Sequence, residues 1–258
     1  MPIDKALDSA TVFERLCKTR DVYPDRPAVS FQLKSSANSK STTLSWTDLT
    51  SKVTQAANLF RSLGVGPKDV VAYLLPTTHE TLITLMGGMT SGIVAPINPT
   101  LEPESIAALL RETNAKVLVT LKAFPKTNIS DLASQAVTLS PNVKTVIELD
   151  LLPHLSGISK FIVPFIRPKN SIQHSAKIVD FNQALATQSD SELTFEETKN
   201  NSIKESKHQV FNLPENVYNY DDAKIACKAM GAELASLEQL SHAHKAGANW
   251  CNYGWSKQ

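Results

Sequence analysis

Apolar residues alternate between two spacings along the first two-thirds of the chain. Between short apolar runs, they recur at steps of three and four, which is the spacing of one helix face. The runs themselves are continuously apolar, as is typical of strands buried on both faces. They read DVVAYLLP, IVAPINP, KVLVTL and KTVIELD. This order of strands and helices predicts an α/β fold, in which a mostly parallel sheet is flanked by helices.

The clearest helical pattern begins at Trp46. One apolar stripe runs through Trp46, Leu49, Val53, Ala56, Ala57, Phe60 and Leu63. Ser45 is the expected N-cap of this helix, and Gly64 is the expected stop. Upstream, the segments AVSFQL and TTLSW flank a polar loop and predict a β-hairpin.

Three more helices are predicted, in HETLITLMGGMTSG, EPESIAALLRETNA and NISDLASQAVTL. Gly87 and Gly88 lie inside the first of these, where the missing side chains favour close packing. His79 stands at its start, where an ordinary surface role is expected. Gly64 and Gly66 form a G-x-G pair, but they follow a helix and precede a proline. A turn is therefore predicted there rather than a phosphate-binding loop.

The most apolar stretch of the chain is LLPHLSGISKFIVPFI, residues 151–166. Prolines, a glycine, a histidine and a lysine interrupt it, so it is too short and too broken to span a bilayer. Burial or loop packing is favoured over contact with a membrane surface. The N-terminus carries Asp4 and has no apolar core, so no signal peptide is expected.

The periodic pattern fades after Phe181. The segment ATQSDSELTFEETKNNSIKESKH is polar and charged and predicts a linker or a disordered stretch. Further on, DDAKIACKAMG predicts a helix that stops at Gly231, and AELAS predicts a short strand. SLEQLSHAHKAG predicts a second helix, with Ser236 and Gln239 at capping-box spacing. The predicted divisions are a domain at 1–197, a polar linker or join at 198–212, and a domain at 213–258.

Composition narrows the class of protein. The chain has 258 residues, 42% of them apolar, so it can bury a sizeable core. Its formal net charge of +1 gives no reason to expect binding to nucleic acid or to an anionic membrane. The cysteines are Cys17, Cys227 and Cys251. An odd number without a secretion signal does not describe a completed disulfide framework.

Three segments of the first two-thirds carry a family resemblance through their order and spacing. They are LSWTDLTSKVTQAANLFRSLGVGPKDVVAYLLP, LITLMGGMTSGIVAPINPTLEPESIAALLRETNAKVLVT and DFNQALATQSDSELTF. The first two resemble consecutive core blocks of the adenylate-forming (AMP-binding) acyl-CoA synthetases. The third resembles the segment just upstream of the nucleotide-binding loop in bacterial fatty-acyl members. Residues 1 to about 197 thus resemble the N-terminal part of this family.

The resemblance implies that a fatty acid or another carboxylic acid is activated by ATP and transferred to coenzyme A, with Mg²⁺ as a further cofactor. The family's glycine-rich phosphate loop should begin shortly after Phe195, where the sequence reads EETKNNSIKESK without a glycine. The family's later aromatic-Gly-x-Thr-Glu motif, ribose-binding aspartate and catalytic lysine are not in the sequence. We therefore assign no catalytic, cofactor-binding or metal-binding residue and expect this polypeptide to be inactive.

The last segment, from about residue 213 to 258, carries a second resemblance. The residues in register are Tyr220, Ala223, Cys227, Gly231, Ala232, Leu234, Ala235, Gln239, Leu240, Ala243, Gly247, Cys251, Gly254 and Trp255. They resemble the first half of a Link module, a C-type-lectin-like domain best known for binding hyaluronan.

This second resemblance has two implications. In the family, Cys227 and Cys251 would each pair with a later cysteine, so both are expected to be free thiols here. Loss of such a bridge removes about 2–5 kcal/mol of stability from a small domain. Hyaluronan-binding members carry a basic and an aromatic residue where this chain has Glu215 and Asn216. An acid there repels a polyanionic sugar, so glycan binding is not favoured.

Other side chains of the last segment have ordinary explanations. The aromatic residues Tyr218, Tyr220, Trp250 and Tyr253 are interpreted as packing rather than as a sugar platform. His242 and His244 are two positions apart, on different sides of a predicted helix, and predict no metal site.

Three hypotheses of function stay open. The chain is an inactive fragment of an acyl-CoA synthetase, a sugar-binding protein on a degenerate synthetase scaffold, or a chimeric join of two unrelated proteins near Thr198. The synthetase part is expected in the cytoplasm, whereas the Link-like part would normally be extracellular. The first hypothesis is favoured.

Overall fold

The structure is a computed structural model, which describes residues 9, 11–33, 41–155, 157–168, 174–197, 210, 219–229 and 231–245. The chain divides into two compact units, Met1–Asn200 and Asn201–Gln258, and each is described by itself. The domain boundaries placed at 197 and 213 stay a prediction.

The first unit alternates helices and strands in the predicted order. Its described helices are α1 (Val12–Val22), α2 (Trp46–Ser62), α3 (His79–Ser91), α4 (Pro103–Glu112), α5 (Ile129–Thr138), α6 (Ile158–Ile166) and α7 (Phe181–Ala186). Its described strands are β1 (Pro27–Phe31), β2 (Thr42–Ser45), β3 (Val70–Leu74), β4 (Ile93–Pro96), β5 (Val117–Leu121), β6 (Thr145–Leu149) and β7 (Lys177–Asp180). A short 3₁₀ turn at Leu152–His154 precedes α6.

Five of these strands form one sheet in the order β4-β3-β5-β6-β7. All four pairings in this sheet are parallel. The hairpin β1–β2 is antiparallel and forms a separate two-stranded sheet. Helices flank the parallel sheet, so the predicted α/β class is confirmed.

Helix α2 begins and ends where its sequence predicts. The Ser45 hydroxyl accepts a hydrogen bond from the Asp48 backbone N–H at 3.1 Å, and the Asp48 carboxylate accepts one from the Ser45 N–H at 3.0 Å. This reciprocal capping box satisfies two backbone donors that the first turn leaves without helical partners. At the other end, Gly64 has φ +84°, the left-handed conformation that glycine adopts without strain.

The predicted stripe of α2 packs into the core. Leu49, Val53 and Phe60 are fully or almost fully buried. Helix α3 approaches α2 closely, because a Cβ atom on Gly87 would lie 2.6 Å from the Ala56 Cβ. The expectation that this glycine permits close packing is confirmed.

Two expectations about burial were wrong. The IVAPINP strand was predicted to be buried on both faces, but β4 is an edge strand on which Ile93 is 49% exposed. The apolar stretch 151–166 was predicted to be buried or packed as a loop. Instead, most of its length forms the 3₁₀ turn and the helix α6, whose apolar side chains are largely exposed.

The described part of the second unit contains the helices α8 (Tyr220–Ala229) and α9 (Leu237–Lys245). Gly231 follows α8 with φ +71°, as predicted for a helix stop. The Ser236 hydroxyl accepts from the Gln239 N–H at 3.2 Å, and the Gln239 side-chain oxygen accepts from the Ser236 N–H at 2.7 Å, which confirms the capping box. The strand predicted at AELAS was wrong, because residues 232–235 are irregular and only Ser236 forms an isolated bridge.

Candidate functional site at the carboxyl edge of the sheet

The strand order of the sheet reverses beside β3. The chain passes from β3 to β4 on one side and then returns to β5 on the other side of β3. In open parallel sheets, ligands bind beyond the carboxyl ends of the strands at such a reversal. The first turn of α3, which follows β3, is therefore the candidate, together with the residues after β6 that contact it through His154 and Glu80.

The first turn of α3 is held by threonines. Thr78 is the N-cap, and its hydroxyl accepts from the Thr81 N–H at 3.3 Å. The Thr81 hydroxyl in turn donates to the Pro76 carbonyl. These bonds fix the first turn of α3, in which His79 and Glu80 come directly after Thr78.

His79 is buried, with 4% of its surface exposed. The expected surface role was therefore wrong. The Phe31 ring, from the hairpin, covers it with ring centroids 5.8 Å apart. Burial lowers the pKa of His79, so the fold favours the neutral imidazole. Its Nε2 atom is buried and has no hydrogen-bond partner among the described residues.

Glu80 is hydrogen-bonded to His154 from the 3₁₀ turn. Its Oε1 atom lies 2.9 Å from the His154 Nε2, and the two side chains are only 13% and 10% exposed. Burial by itself would raise the pKa of the Glu80 carboxyl, but the hydrogen bond and charge of His154 lower it below its ordinary value. This contact ties the segment after β6 to the first turn of α3.

An ion pair follows β6. The Arg167 Nη2 donates to both oxygens of Asp150, at 2.8 and 2.9 Å. The Asp150 Oδ1 also accepts from the Leu152 N–H at 3.0 Å. Asp150 follows the last residue of β6, and Arg167 follows the last residue of α6. The pair therefore joins the two ends of residues 150–167, which contain the 3₁₀ turn and α6 and are called the excursion.

The edge also carries Glu148, near the end of β6. Burial raises the pKa of this carboxyl, although Lys122 opposes the effect. Glu148 lies opposite Asp180 in the pairing of β6 with β7, and the Asp180 charge adds to the rise. Acids at adjacent strand ends make this part of the edge unfavourable for an anion.

These residues do not fit a nucleotide phosphate. The Thr81 amide in the first turn of α3 already donates to Thr78, and Glu80 places an acid where a phosphate needs donors. Within the described ranges, no three His, Cys, Asp or Glu side chains are grouped so that they could hold a metal ion. The described side chains of this edge pair with one another and do not form a phosphate cradle.

The segment that precedes the expected phosphate loop is fastened to α2. The Asn58 amide donates to the carbonyls of Ser189 and Glu192 at 3.0 and 2.9 Å, and its oxygen accepts from the Thr194 N–H at 2.9 Å. The Arg61 guanidinium lies 4.1 Å from the centroid of the Phe195 ring. Sequence reasoning missed Asn58, although a lone amide beside the apolar stripe of α2 was a usable signal.

The residues singled out in the second unit are only partly described. Cys227 lies half-buried on α8 and forms no disulfide with another described cysteine. Cys251, Glu215 and Asn216 lie outside the described residues, as do Tyr218, Trp250, Tyr253 and Trp255. The expectation that Cys227 and Cys251 lack partners therefore stays a prediction. His242 and His244 are both exposed on α9.

No helix in the described ranges is long and apolar enough to cross a membrane.

Two family models match different parts of the chain. Residues 16–176 match the family model of the AMP-binding enzyme, and residues 209–258 match that of the extracellular link domain. The first region is 33% identical over 141 residues to marinolic acid–CoA ligase of Pseudoalteromonas sp. (strain SANK 73390). That match covers 55% of this chain and 21% of the ligase. Tyrocidine synthase 2 of Brevibacillus parabrevis is 31% identical over 113 residues, which is 42% of this chain and 3% of the synthase.

Two solved structures share the fold. The anthranilate CoA ligase AuaEII, in complex with anthranoyl-AMP, superposes with a TM-score of 0.51 at 17% identity over 73% of this chain and 30% of the ligase. The acetoacetyl-CoA synthetase of Streptomyces lividans superposes with a TM-score of 0.55 at 19% identity over 72% of this chain and 26% of the synthetase. The chain thus spans less than a third of each of these proteins. Because the family match extends over more than half of the sequence, this chain belongs to the AMP-binding enzyme family.

Proposed function

We propose that this chain is the N-terminal portion of an ATP-dependent ligase that joins a carboxylic acid to coenzyme A through an acyl-adenylate. The family match over residues 16–176 carries the proposal. The similarity to a protein named as an acid–CoA ligase favours coenzyme A as the acceptor. A fatty acid is the proposed substrate class, because DFNQALATQSDSELTF resembles the corresponding segment of fatty-acyl members.

We also propose that the polypeptide of 258 residues does not complete this reaction by itself. Phosphate loops hold anions through converging backbone N–H groups, which glycine permits. The twelve residues that follow Phe195 contain no glycine, and the edge beside α3 does not fit a phosphate. ATP, Mg²⁺ and coenzyme A would be the cofactors of a protein that supplies these parts.

An activity assay tests this second proposal. The purified chain is incubated with ATP, Mg²⁺, coenzyme A and a panel of carboxylic acids, and the release of pyrophosphate is measured. We expect no release above that of a heat-denatured sample. Acid-dependent turnover would refute the proposed inactivity and would at the same time name the substrate.

A graft tests the first proposal independently. Residues 1–195 are joined to the downstream part of marinolic acid–CoA ligase at the corresponding position. We expect acid-dependent formation of an acyl-adenylate, trapped as a hydroxamate. A graft that folds, as judged by circular dichroism, but activates no acid in the panel would count against an N-terminal portion of a ligase.

We propose that the regions on either side of residue 198 have separate origins. The two sides match unrelated families. Proteins that resemble the first part are expected in the cytoplasm, whereas proteins that resemble the second part are expected outside the cell. A single long sequencing read across the codons for residues 197–206 tests this proposal. An intact read would show a genuine fusion, whereas divergence of the reads there would show two proteins. The match of residues 209–258 is the one observation in favour of glycan binding, and we propose no glycan ligand.

A further inference from the structure

The hairpin β1–β2 contacts the rest of the first unit differently at its two ends. At its base, the Trp46 N–H donates to the Arg26 carbonyl and the Thr47 N–H donates to the Pro24 carbonyl, both at 3.1 Å. These bonds join the residues just before β1 to the start of α2. The base of the hairpin is therefore held by peptide groups, which do not titrate near neutral pH.

At the far end of the hairpin, aromatic rings make the contact. Phe31 pairs with Thr42 at the last register position of the two strands. The Phe31 ring lies edge-to-face with two imidazoles, and its centroid is 5.8 Å from that of His79 on α3 and 5.1 Å from that of His154 on the excursion. The two imidazole centroids are 6.2 Å apart. These three rings, called the ring latch, bring the hairpin, α3 and the excursion together.

The ring latch contains one imidazole that is costly to protonate. The Glu80 Oε1 lies 2.9 Å from the His154 Nε2, whereas the buried His79 Nε2 has no hydrogen-bond partner among the described residues. The groups that face His79 are Glu80, on the same helix, His154, and the backbone carbonyls of Val29 and Thr42 from the hairpin. Burial lowers the pKa of His79, with a smaller contribution from His154, and outweighs Glu80 and the two carbonyls, which raise it. The closed ring latch therefore favours a neutral His79.

The hairpin is less buried than the parallel sheet. Val29 and Phe31 share one face of β1 and are only half-buried, and Ser30 on the other face is exposed. By contrast, every residue of β5 is buried. A two-stranded sheet with few buried apolar contacts opens at a lower free energy than core strands do. The far end of the hairpin can therefore open while the parallel sheet stays folded.

We propose that the β1–β2 hairpin is a cover over the first turn of α3 that opens on acidification, with its base as the hinge and the ring latch as the contact that releases. Opening exposes His79 to water, where its pKa returns toward the ordinary value of 6.5. Below that value the open state binds a proton that the closed state does not yet bind. The open fraction therefore rises as the pH falls through 6.5, down to the lowered pKa of the closed state. The proposal does not depend on the ligase function.

Hydrogen–deuterium exchange of the full chain, followed by mass spectrometry of its peptides, tests the proposal. Protection is measured at pH 7 and pH 5.5, each time against the unfolded chain at the same pH, so that the intrinsic pH dependence of exchange cancels. Both conditions lie above 4.5, the ordinary pKa of Glu80, so this carboxylate stays ionised. We expect the protection of residues 27–31 and 42–45 to fall on acidification, by no more than about tenfold per pH unit, which is the limit for one proton. Protection of β5, which is lost only when the sheet unfolds, should stay at least about tenfold higher at both pH values.

Two variants identify the groups responsible. His79→Gln removes the titrating imidazole, so the hairpin should lose most of its pH response. Phe31→Ala removes the central ring of the latch, so protection of the hairpin should fall about tenfold already at pH 7. Its pH response should also weaken, because His79 is then less covered. The matched control is His242→Gln, which changes an exposed histidine on α9 and should behave like the wild-type chain.

Four results would each overturn the proposal. The first is equal protection of the hairpin and β5 at both pH values, because the hairpin would then open only when the whole unit unfolds. The second is hairpin protection in the wild-type chain that does not change with pH. The third is a full pH response in His79→Gln, and the fourth is wild-type protection of the hairpin in Phe31→Ala. If His79→Gln does not fold, the wild-type chain and Phe31→Ala still decide the outcome.

Discussion

Helices α3 and α6 are both rich in apolar residues, yet they differ in how closely these residues pack against the rest of the protein. Helix α3 packs against α2 so closely that Gly87 has no room for a side chain. Helix α6 buries Val163 and leaves two phenylalanine rings in solvent. The first is fixed by apolar packing on the sheet, and the second by a hydrogen-bonded pair before it and an ion pair after it. The comparison teaches that an apolar stripe identifies a helix but not what the stripe contacts.

Truncation of a buried phenylalanine is the test of this contrast for which we expect the largest loss of stability. Phe60 on α2 is completely buried, so Phe60→Ala removes its transfer free energy and leaves a cavity. We expect the free energy of unfolding to fall by about 3–5 kcal/mol. Urea unfolding followed by circular dichroism measures this loss. A loss below about 1 kcal/mol would mean that α2 is not the packed centre of the unit.

Removal of one member of the His154–Glu80 pair should have an intermediate effect on the free energy of unfolding. His154→Ala leaves the Glu80 carboxylate buried without its partner, at a cost of about 1–3 kcal/mol. The double variant Glu80→Gln/His154→Ala removes the buried charge and should recover part of that loss. If the single and double variants are equally stable, the pair does not anchor the excursion.

The same region should make stability depend on pH. The folded state lowers the pKa of His79 below its ordinary value of 6.5, so the unfolded chain binds a proton first as the pH falls. His79 therefore destabilises the fold as the pH drops below 6.5, down to its lowered folded value. The pKa of Glu80 is also lowered, so its contribution is present above its ordinary value of 4.5 and is lost as the pH falls through the folded value.

Thermal unfolding at a series of pH values measures this dependence. The midpoint should fall on acidification from pH 7, and His79→Gln should flatten the upper part of the fall. A variant with the wild-type slope between pH 7 and 5 would show that His79 is not the responsible group.

The smallest effect on the free energy of unfolding is expected at Phe165, which has the same side chain as Phe60 but is exposed. Phe165 is 90% exposed, so Phe165→Ala should change the free energy of unfolding by no more than about 0.5 kcal/mol. The same urea titration measures it. A loss of several kcal/mol would show that α6 packs on the protein in solution, and the contrast with α3 would disappear.

Local signals predicted the elements of this fold well. The cap at Ser45, the left-handed glycine at Gly64 and the alternation of strands with helices all depend on neighbouring residues, and the structure has each of them. Burial at long range was harder to predict. His79 is covered by Phe31, which lies far away in the sequence, and β4 is exposed because no strand among the described residues pairs beyond it. The pattern of α6 gave its helical spacing but carried no information about its neighbours.

The contact between Asp150 and Arg167 has a consequence for how this region can change. Because it brings the two ends of a long excursion together at a single ion pair, the intervening residues form a nearly closed loop on the sheet. The entropy of closing such a loop grows only slowly with its length. Insertions and deletions between these residues would therefore disturb β6 little, provided that they leave the contacts of His154 and Val163 in place. The length of this segment can therefore vary only between its points of attachment.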